Sequence, residues 1–237
     1  MGLKPVVKTS SSRQKVADWI VEKFPDGYQS MDYIEPFLGD GSVLLAKEVS
    51  AEEVVSDLDN SLMNIWRALR DEHSVFSSRV KRVDHSKDTF ERYIKALGGD
   101  YMAEAVREFV LRQMSKSALK KTYLQRDGKV KCRDCWCGLF ERIPEVNSRV
   151  SKIFMLNKGA VEVLKAFNHD RCLAFCDPPA LETGNSDFHA EFGELVRNFR
   201  GKAVVCARNS AMYRRLFALW SRKGLPGSSN ESIWVNF

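Results

Sequence analysis

The chain has 237 residues, 44% of them hydrophobic and 11% aromatic. That is enough to close one core of ordinary size, or one core carrying a sizeable insertion, and it excludes a predominantly disordered or collagen-like polypeptide. Lys and Arg exceed Asp and Glu by 37 to 31, a formal charge of +6.

In chain order, Val16, Trp19, Ile20 and Phe24 recur at helical spacing and predict a helix over 14–24, stopped by Pro25 and Gly27. Residues 32–37 read as a short strand, followed by the loop Leu38-Gly39-Asp40-Gly41-Ser42 and a helix over 43–48. Val54-Val55 predicts a second strand leading into Ser56-Asp57-Leu58-Asp59-Asn60, and Leu62, Ile65, Trp66 and Leu69 put an apolar stripe on a helix over 61–70. From 74 to about 128 the pattern is mainly helical, with Phe90, Tyr93, Ile94 and Leu97 on one face and Val106, Phe109 and Val110 on another, divided at Gly98-Gly99. Strand-like runs then return at 153–156, 171–176 and 203–206, with helices expected around 161–167 and 212–220. A turn-rich stretch over 224–230 and a terminal strand over 232–237 complete the reading. Successive strand, loop and helix units predict an open α/β sheet with ligands at the carboxyl ends of its strands. The core is assigned to 1–74 and 151–237, and 75–150 to a helical, basic insertion.

No run reaches the roughly 18 consecutive apolar residues of a membrane span. The start, MGLKPVVKTSSSRQK, lacks the apolar middle of a secretory leader, so a cell interior is the expected setting, with no membrane partner. Positive charge is concentrated between 104 and 133, where Arg107, Arg112, Lys116, Lys120, Lys121, Arg126, Lys129, Lys131 and Arg133 face Glu104, Glu108 and Asp127, an excess equal to that of the whole chain. Such a patch attracts a polyanion by neutralising phosphates, which makes nucleic acid the first partner to consider; a solvated basic surface is the alternative. Cys132, Cys135 and Cys137 are crowded, while Cys172, Cys176 and Cys206 lie in apolar runs, a distribution of reduced thiols. One two-residue cysteine spacing without a second pair or a nearby histidine gives no tetrahedral set, so no metal is expected. His73, His85 and His189 lie in polar segments and no histidine is in a ligand-spaced pair, which favours neither a metal hydrolase nor a histidine base.

Two loops carry the candidate chemistry. Gly39-Asp40-Gly41 follows a strand and precedes a helix, where small residues permit close ligand approach, although a structural turn has the same composition. Asp57, one unit later, can accept hydrogen bonds from a ribose, or cap a helix. In Cys176-Asp177-Pro178-Pro179-Ala180 the prolines fix the backbone and leave carbonyls that accept a substrate amine beside the Asp177 carboxylate; a rigid turn is the plainer alternative.

Together these motifs resemble the Dam-like, D12-class DNA adenine methyltransferases of the alpha group. Ile34-Glu35-Pro36-Phe37-Leu38-Gly39-Asp40-Gly41-Ser42-Val43 looks like their cofactor loop, Ser56-Asp57-Leu58-Asp59-Asn60 followed by Asn64 like their next acidic motif, and Asp177-Pro178-Pro179 like the start of their catalytic motif. Arg112-Gln113-Met114-Ser115 and the terminal Glu231 to Phe237 resemble phage and plasmid members, which would mean host cytoplasm for a phage-encoded chain. The resemblance implies a Rossmann-like methyltransferase fold, S-adenosylmethionine as methyl donor, and duplex DNA with a flipped adenine as substrate. It implies Arg13, Glu35, Pro36, Phe37, Gly39, Gly41, Asp57 and Asp177 as cofactor-binding positions, and Asp177, Pro178 and Pro179 as the catalytic corner. Arg112, Lys116, Lys120, Lys121, Arg126, Lys129 and Lys131 would contact DNA. Three positions depart from the family: Ser11-Ser12-Arg13 replaces Gly-Gly-Lys, Gly159 replaces an acidic residue expected near the cofactor's adenine, and Ala180 replaces the aromatic residue that stacks on the target base. The alternative is a weak or inactive homologue that binds DNA or a partner.

Overall fold

Continuous apolar runs rather than alternating ones mark the central strands, as expected for strands covered on both faces. The computed structural model describes residues 2–124, 132–181 and 186–237, without the side chains of 132–135 and 137. In chain order the elements are α1 (Ala17–Val21), a 3-10 turn (Tyr28–Ser30), β1 (Asp32–Glu35), α2 (Ser42–Ala46), β2 (Glu52–Ser56), α3 (Asn60–Asp71), α4 (His73–Lys81), α5 (Lys87–Lys95) and α6 (Tyr101–Met114). There follow α7 (Cys132–Val150), β3 (Phe154–Leu156), α8 (Ala160–Ala166), β4 (Cys172–Cys176), α9 (Ser186–Arg197), β5 (Lys202–Arg208), α10 (Ala211–Leu216), β6 (Ser221–Gly224) and β7 (Glu231–Val235).

The strands form one seven-stranded sheet in the order β3-β2-β1-β4-β5-β7-β6. The first five are parallel, and β7 runs antiparallel to both β5 and β6. Ile34 on β1 sits opposite Val54 on one side and Ala174 on the other. The chain leaves β1 toward β2 and leaves β4 toward β5, in opposite directions, so the β1/β4 pair is the switch point at which open α/β sheets form their ligand crevice. All five residues of β4 are buried. Phe192 and Val196 of α9, Val163 and Leu164 of α8 and Tyr213 of α10 join the strand residues in one apolar cluster. At the far edge β6, with Arg222 and Lys223 at its centre, is exposed along its whole length.

The chain divides into two packed units. The sheet unit comprises 16–38, 47–58 and 153–237, and the helical unit 1–15, 39–46 and 59–152. This division follows packing and runs along other lines than the boundaries at 75 and 150 expected from the sequence. In the helical unit α3 lies against α6, with Trp66, Phe76 and Phe109 fully buried. Three of its helices, α3, α5 and α6, begin on side-chain caps: Asp59 accepts from Leu62, Ser86 from Thr89 and Asp100 from Ala103. The N-terminal strap is tied down within the same unit, Gln113 donating to the Val6 carbonyl and Lys8 to that of Ser115.

Three differences from the sequence reading have physical causes. β1 ends at Glu35, because Pro36 has no N–H for the ladder. α10 stops at Leu216 and residues 221–224 pair with β7 as an edge strand, where only a turn from 224 was expected. The helix α9 was not predicted. Phe188, Phe192 and Val196 follow one another at four-residue intervals along α9, a signal diluted by the acidic residues between them.

Candidate functional site

At the switch point the two candidate motifs leave neighbouring strands. Beyond β1 come buried Pro36 and half-buried Phe37; beyond β4 come half-exposed Asp177, buried Pro178 and exposed Pro179. Glu35 is 2% exposed and its Oε2 accepts a 2.7 Å hydrogen bond from the Tyr33 hydroxyl. The Leu38 N–H donates to the Ser56 carbonyl at 2.9 Å, drawing the chain beyond β1 against the end of β2. Burial pushes the Cys176 thiol well up, and nearby Cys172, Glu35 and Asp177 push it further. Cys172 is pushed up to about 12 by burial and by Asp32. Both stay protonated at neutral pH and are unsuited to act as nucleophiles. Both carboxylates thus lie near one buried thiol.

Around Phe37 stands a group that the sequence reading missed. Phe37 meets Phe192 edge-on at 5.5 Å and Phe188 at 6.3 Å, and Phe188 stacks on Phe192. His189 corrects an expectation: it is fully buried, because α9 turns this residue inward while its neighbours Asp187 and Glu191 stay polar and exposed. Its Nδ1 shares a 2.7 Å hydrogen bond with the Tyr213 hydroxyl, and burial lowers its pKa. The Tyr213 hydroxyl is held protonated by burial and by Cys176 and Asp177. The signal for this group was the apolar spacing on α9; the hydroxyl partner, 24 residues away, had none.

At the end of β2, Ser56 Oγ donates to the Lys158 carbonyl at 2.8 Å and accepts the Lys158 N–H at 2.9 Å. Asn157 donates to the Asp57 carbonyl at 2.6 Å. Asp57 is half-exposed, and these bonds hold it beside 157–159, where the sequence comparison predicted an adenine neighbour. Gly159 starts α8 and its N–H donates to Glu162 at 3.2 Å. A Cβ added there would meet Glu162 Oε2 at 3.7 Å and Leu58 at 4.0 Å, ordinary van der Waals distances.

In the helical unit, Gly39 and Gly41 have φ of +53° and +65°, a backbone that favours glycine. Trp66 Nε1 holds the Gly39 carbonyl at 3.0 Å. Asp40 is buried and its Oδ1 accepts from the Ser42 N–H and hydroxyl, so it shapes the loop. A cavity of about 910 Å³ in this unit is lined by Lys4, Lys8, Ser12, Asp40, Gln113 and Arg142. Arg13 is half-buried nearby in sequence.

The basic segment is less free than its composition suggests. Arg112 is 7% exposed, with its guanidinium on Glu108 at 2.7 Å and on Asp59 at 2.6 Å. Lys120 donates to both Glu108 oxygens, at 2.9 and 3.0 Å. Arg112, expected on the DNA side, is therefore turned inward by two carboxylates. Lys116 and Lys121 are exposed. Arg126, Lys129 and Lys131 lie outside the described residues, as do the side chains of Cys132, Cys135 and Cys137. Among the described residues there is no cluster of metal-ligating side chains, and no helix is long and apolar enough to cross a membrane.

Comparisons with known proteins agree with this picture in part. The family described as D12 class N6 adenine-specific DNA methyltransferase matches residues 12–129, just under half of the chain. No curated protein matches the sequence. Among solved structures, yhhF of Escherichia coli, described as a methyltransferase, shares 10% identity over 98% of this chain and 89% of its own, with a TM-score of 0.45. TrmN from Thermus thermophilus shares 12% identity over 94% of this chain and 47% of its own, with a TM-score of 0.41. With the sheet order and the helices inserted between β2 and β3, the family match makes this a Rossmann-like S-adenosylmethionine-dependent methyltransferase fold, and it supports a methyltransferase function.

Proposed function

We propose that the protein transfers a methyl group from S-adenosylmethionine to the N6 amino group of an adenine in duplex DNA. The observation that carries this reading is that Pro36-Phe37 and Asp177-Pro178-Pro179 leave adjacent strands at the sheet's switch point. The residues fit the donor. Glu35 and Asp177 create the negative potential that a sulfonium cation and an ammonium group favour, and Asp57 is suited to a ribose hydroxyl. When bound, S-adenosylmethionine supplies the methyl group.

An adenine amino group is a poor nucleophile, because its lone pair is delocalised into the ring. Asp177 and the Pro178 carbonyl accept its two N–H groups, hold the nitrogen in line and favour the positive charge that develops on it; as the N6–methyl bond replaces the methyl–sulfur bond, leaving S-adenosylhomocysteine, the proton that N6 sheds passes along its hydrogen bond to Asp177 and on to water. The base must leave the duplex to reach them, and Phe37 walls the pocket it enters. Exposed Lys116 and Lys121 contact phosphates, which position the duplex but do not read its sequence.

The test is incorporation of labelled methyl groups into duplex DNA of mixed sequence, with RNA as the competing substrate and identification of the modified base. N6-methyladenine in the DNA supports the reading, and label only in RNA, or only on another base atom, overturns it. One observation favours a second reading: Ala180 and Gly159 lack the side chains that the family resemblance expects on base and cofactor. In that case the chain binds DNA with little turnover, and the same assay gives retention without label.

A further inference from the structure

We propose that Arg112 is a positioning residue that ties the basic loop after α6 to the acidic turn before α3, so that ligand binding at either one favours the arrangement the other needs. The inference rests on the function proposed above. Arg112 lies in the last turn of α6, its Nε on Glu108 and its Nη2 on Asp59, a residue 53 positions earlier. The Arg112 and Glu108 side chains are only 9% and 7% exposed, so neither charge is balanced by water and each depends on its protein partners.

At one end of this network, Asp59 does two things at once. Its Oδ1 caps α3 by accepting the Leu62 N–H at 3.1 Å, while its Oδ2 takes the guanidinium. Asp57, the proposed ribose acceptor, is two residues earlier in the chain. At the other end, Lys120 sits on a loop closed by a bridge between Ser115 and Tyr123 and by hydrogen bonds from the Lys116 N–H to Thr122 and from the Leu124 N–H to Met114. Ala118 and Lys120 have φ of +60° and +59°, a backbone that non-glycine residues adopt only when their surroundings enforce it. Two contacts enforce it at Lys120: its N–H on Ser115 Oγ at 2.9 Å and its ammonium on Glu108. The four side chains carry two positive and two negative charges, so the network adds shape rather than field. Lys116 and Lys121 are left to supply the field.

The experiment measures duplex DNA affinity by fluorescence anisotropy with and without saturating S-adenosylhomocysteine, which cannot donate a methyl group. In the unmodified protein the cofactor product should tighten DNA binding by about five-fold or more, and DNA should tighten its binding by the same factor. Asp59→Asn keeps a good cap but removes the carboxylate from Arg112. In it each ligand should still bind alone while the linkage falls to about one-fold, and Arg112→Gln should do the same. A general loss of structure would lower both affinities, or the active fraction, and leave the linkage factor in place. Linkage that survives in Asp59→Asn overturns the proposal. So does an unmodified protein that binds both ligands without linkage, in which case the proposed function still stands. An unmodified protein that binds neither ligand overturns that function and the proposal together.

Discussion

The corner beyond β4 and the loop beyond α6 both carry charge, but they hold it by different means. At the corner, Asp177 stands at the end of a fully buried strand whose neighbour is fixed by register, so its position follows from the sheet and its charge remains half-exposed. In the loop, Lys120 and the neighbouring Arg112 are committed to Glu108 and Asp59. A carboxylate at a strand end takes its position from the sheet, whereas a cation counted in the sequence contributes to the surface only if no nearby acid has claimed it. The sheet end is thus suited to chemistry and the loop to orientation.

Substitutions can break that contrast, beginning where the largest effect is expected. Asp177→Asn should leave the fold intact and lower methyl transfer by about 10²- to 10³-fold, the scale of losing one oriented group at a reacting centre. A single-turnover assay with labelled donor checks this, and a variant with unchanged rate would remove the corner from the chemistry. Ala180→Tyr restores an aromatic face worth about 1–3 kcal/mol to an unstacked base. It should raise kcat/KM on DNA by up to about 100-fold, and a fall instead would mean that the pocket has closed around the small residue.

The loop is tested by salt. Lys116→Ala with Lys121→Ala should reduce the slope of log affinity against log salt concentration by about two, with equal weakening across sequences. A change in sequence preference without a change in slope would reverse the roles assigned to loop and corner.

His189 provides a test in stability. Burial lowers its pKa in the folded state, so below its ordinary value near 6.5 the unfolded chain takes up the proton more readily than the folded one. Stability should therefore fall as pH drops through that value, and the urea midpoint should fall less in His189→Gln. Tyr213→Phe removes the hydroxyl on Nδ1 while Nε2 already has no partner among the described residues, a change expected to cost about 1–3 kcal/mol at neutral pH. The smallest effect is expected for Gly159→Asp, where an added Cβ makes ordinary contacts. It should improve the N-terminus of α8 by about a few tenths of a kcal/mol in thermal denaturation. In calorimetry it should also tighten S-adenosylhomocysteine binding, as the family resemblance implies for an acidic residue at this position.

Strand positions were legible because apolar runs such as 172–176 admit few other interpretations, and the order of the motifs was legible from their spacing. What local sequence did not carry was pairing over distance. The Glu108 to Arg112 contact follows from four-residue helical spacing, but Asp59 is reached only through the packing of α3 on α6. His189 reads as polar beside Asp187 and Glu191 until Tyr213 is brought to it by α10. The candidate site was legible as a set of loops, and its aromatic backing was not, because α9 hides its apolar spacing among charged residues.

The edge strand β6 has a consequence for how this protein behaves in a crowded solution. An unpaired strand edge is a template for another chain, and here the strand carries two exposed cations, Lys223 and Arg222, whose guanidinium also donates to Asn209 Oδ1 at 3.0 Å. A second copy approaching edge to edge would bring two such pairs of cations together. Among the described residues no element covers this edge, so repulsion guards it, and self-association through it should increase as salt screens those charges.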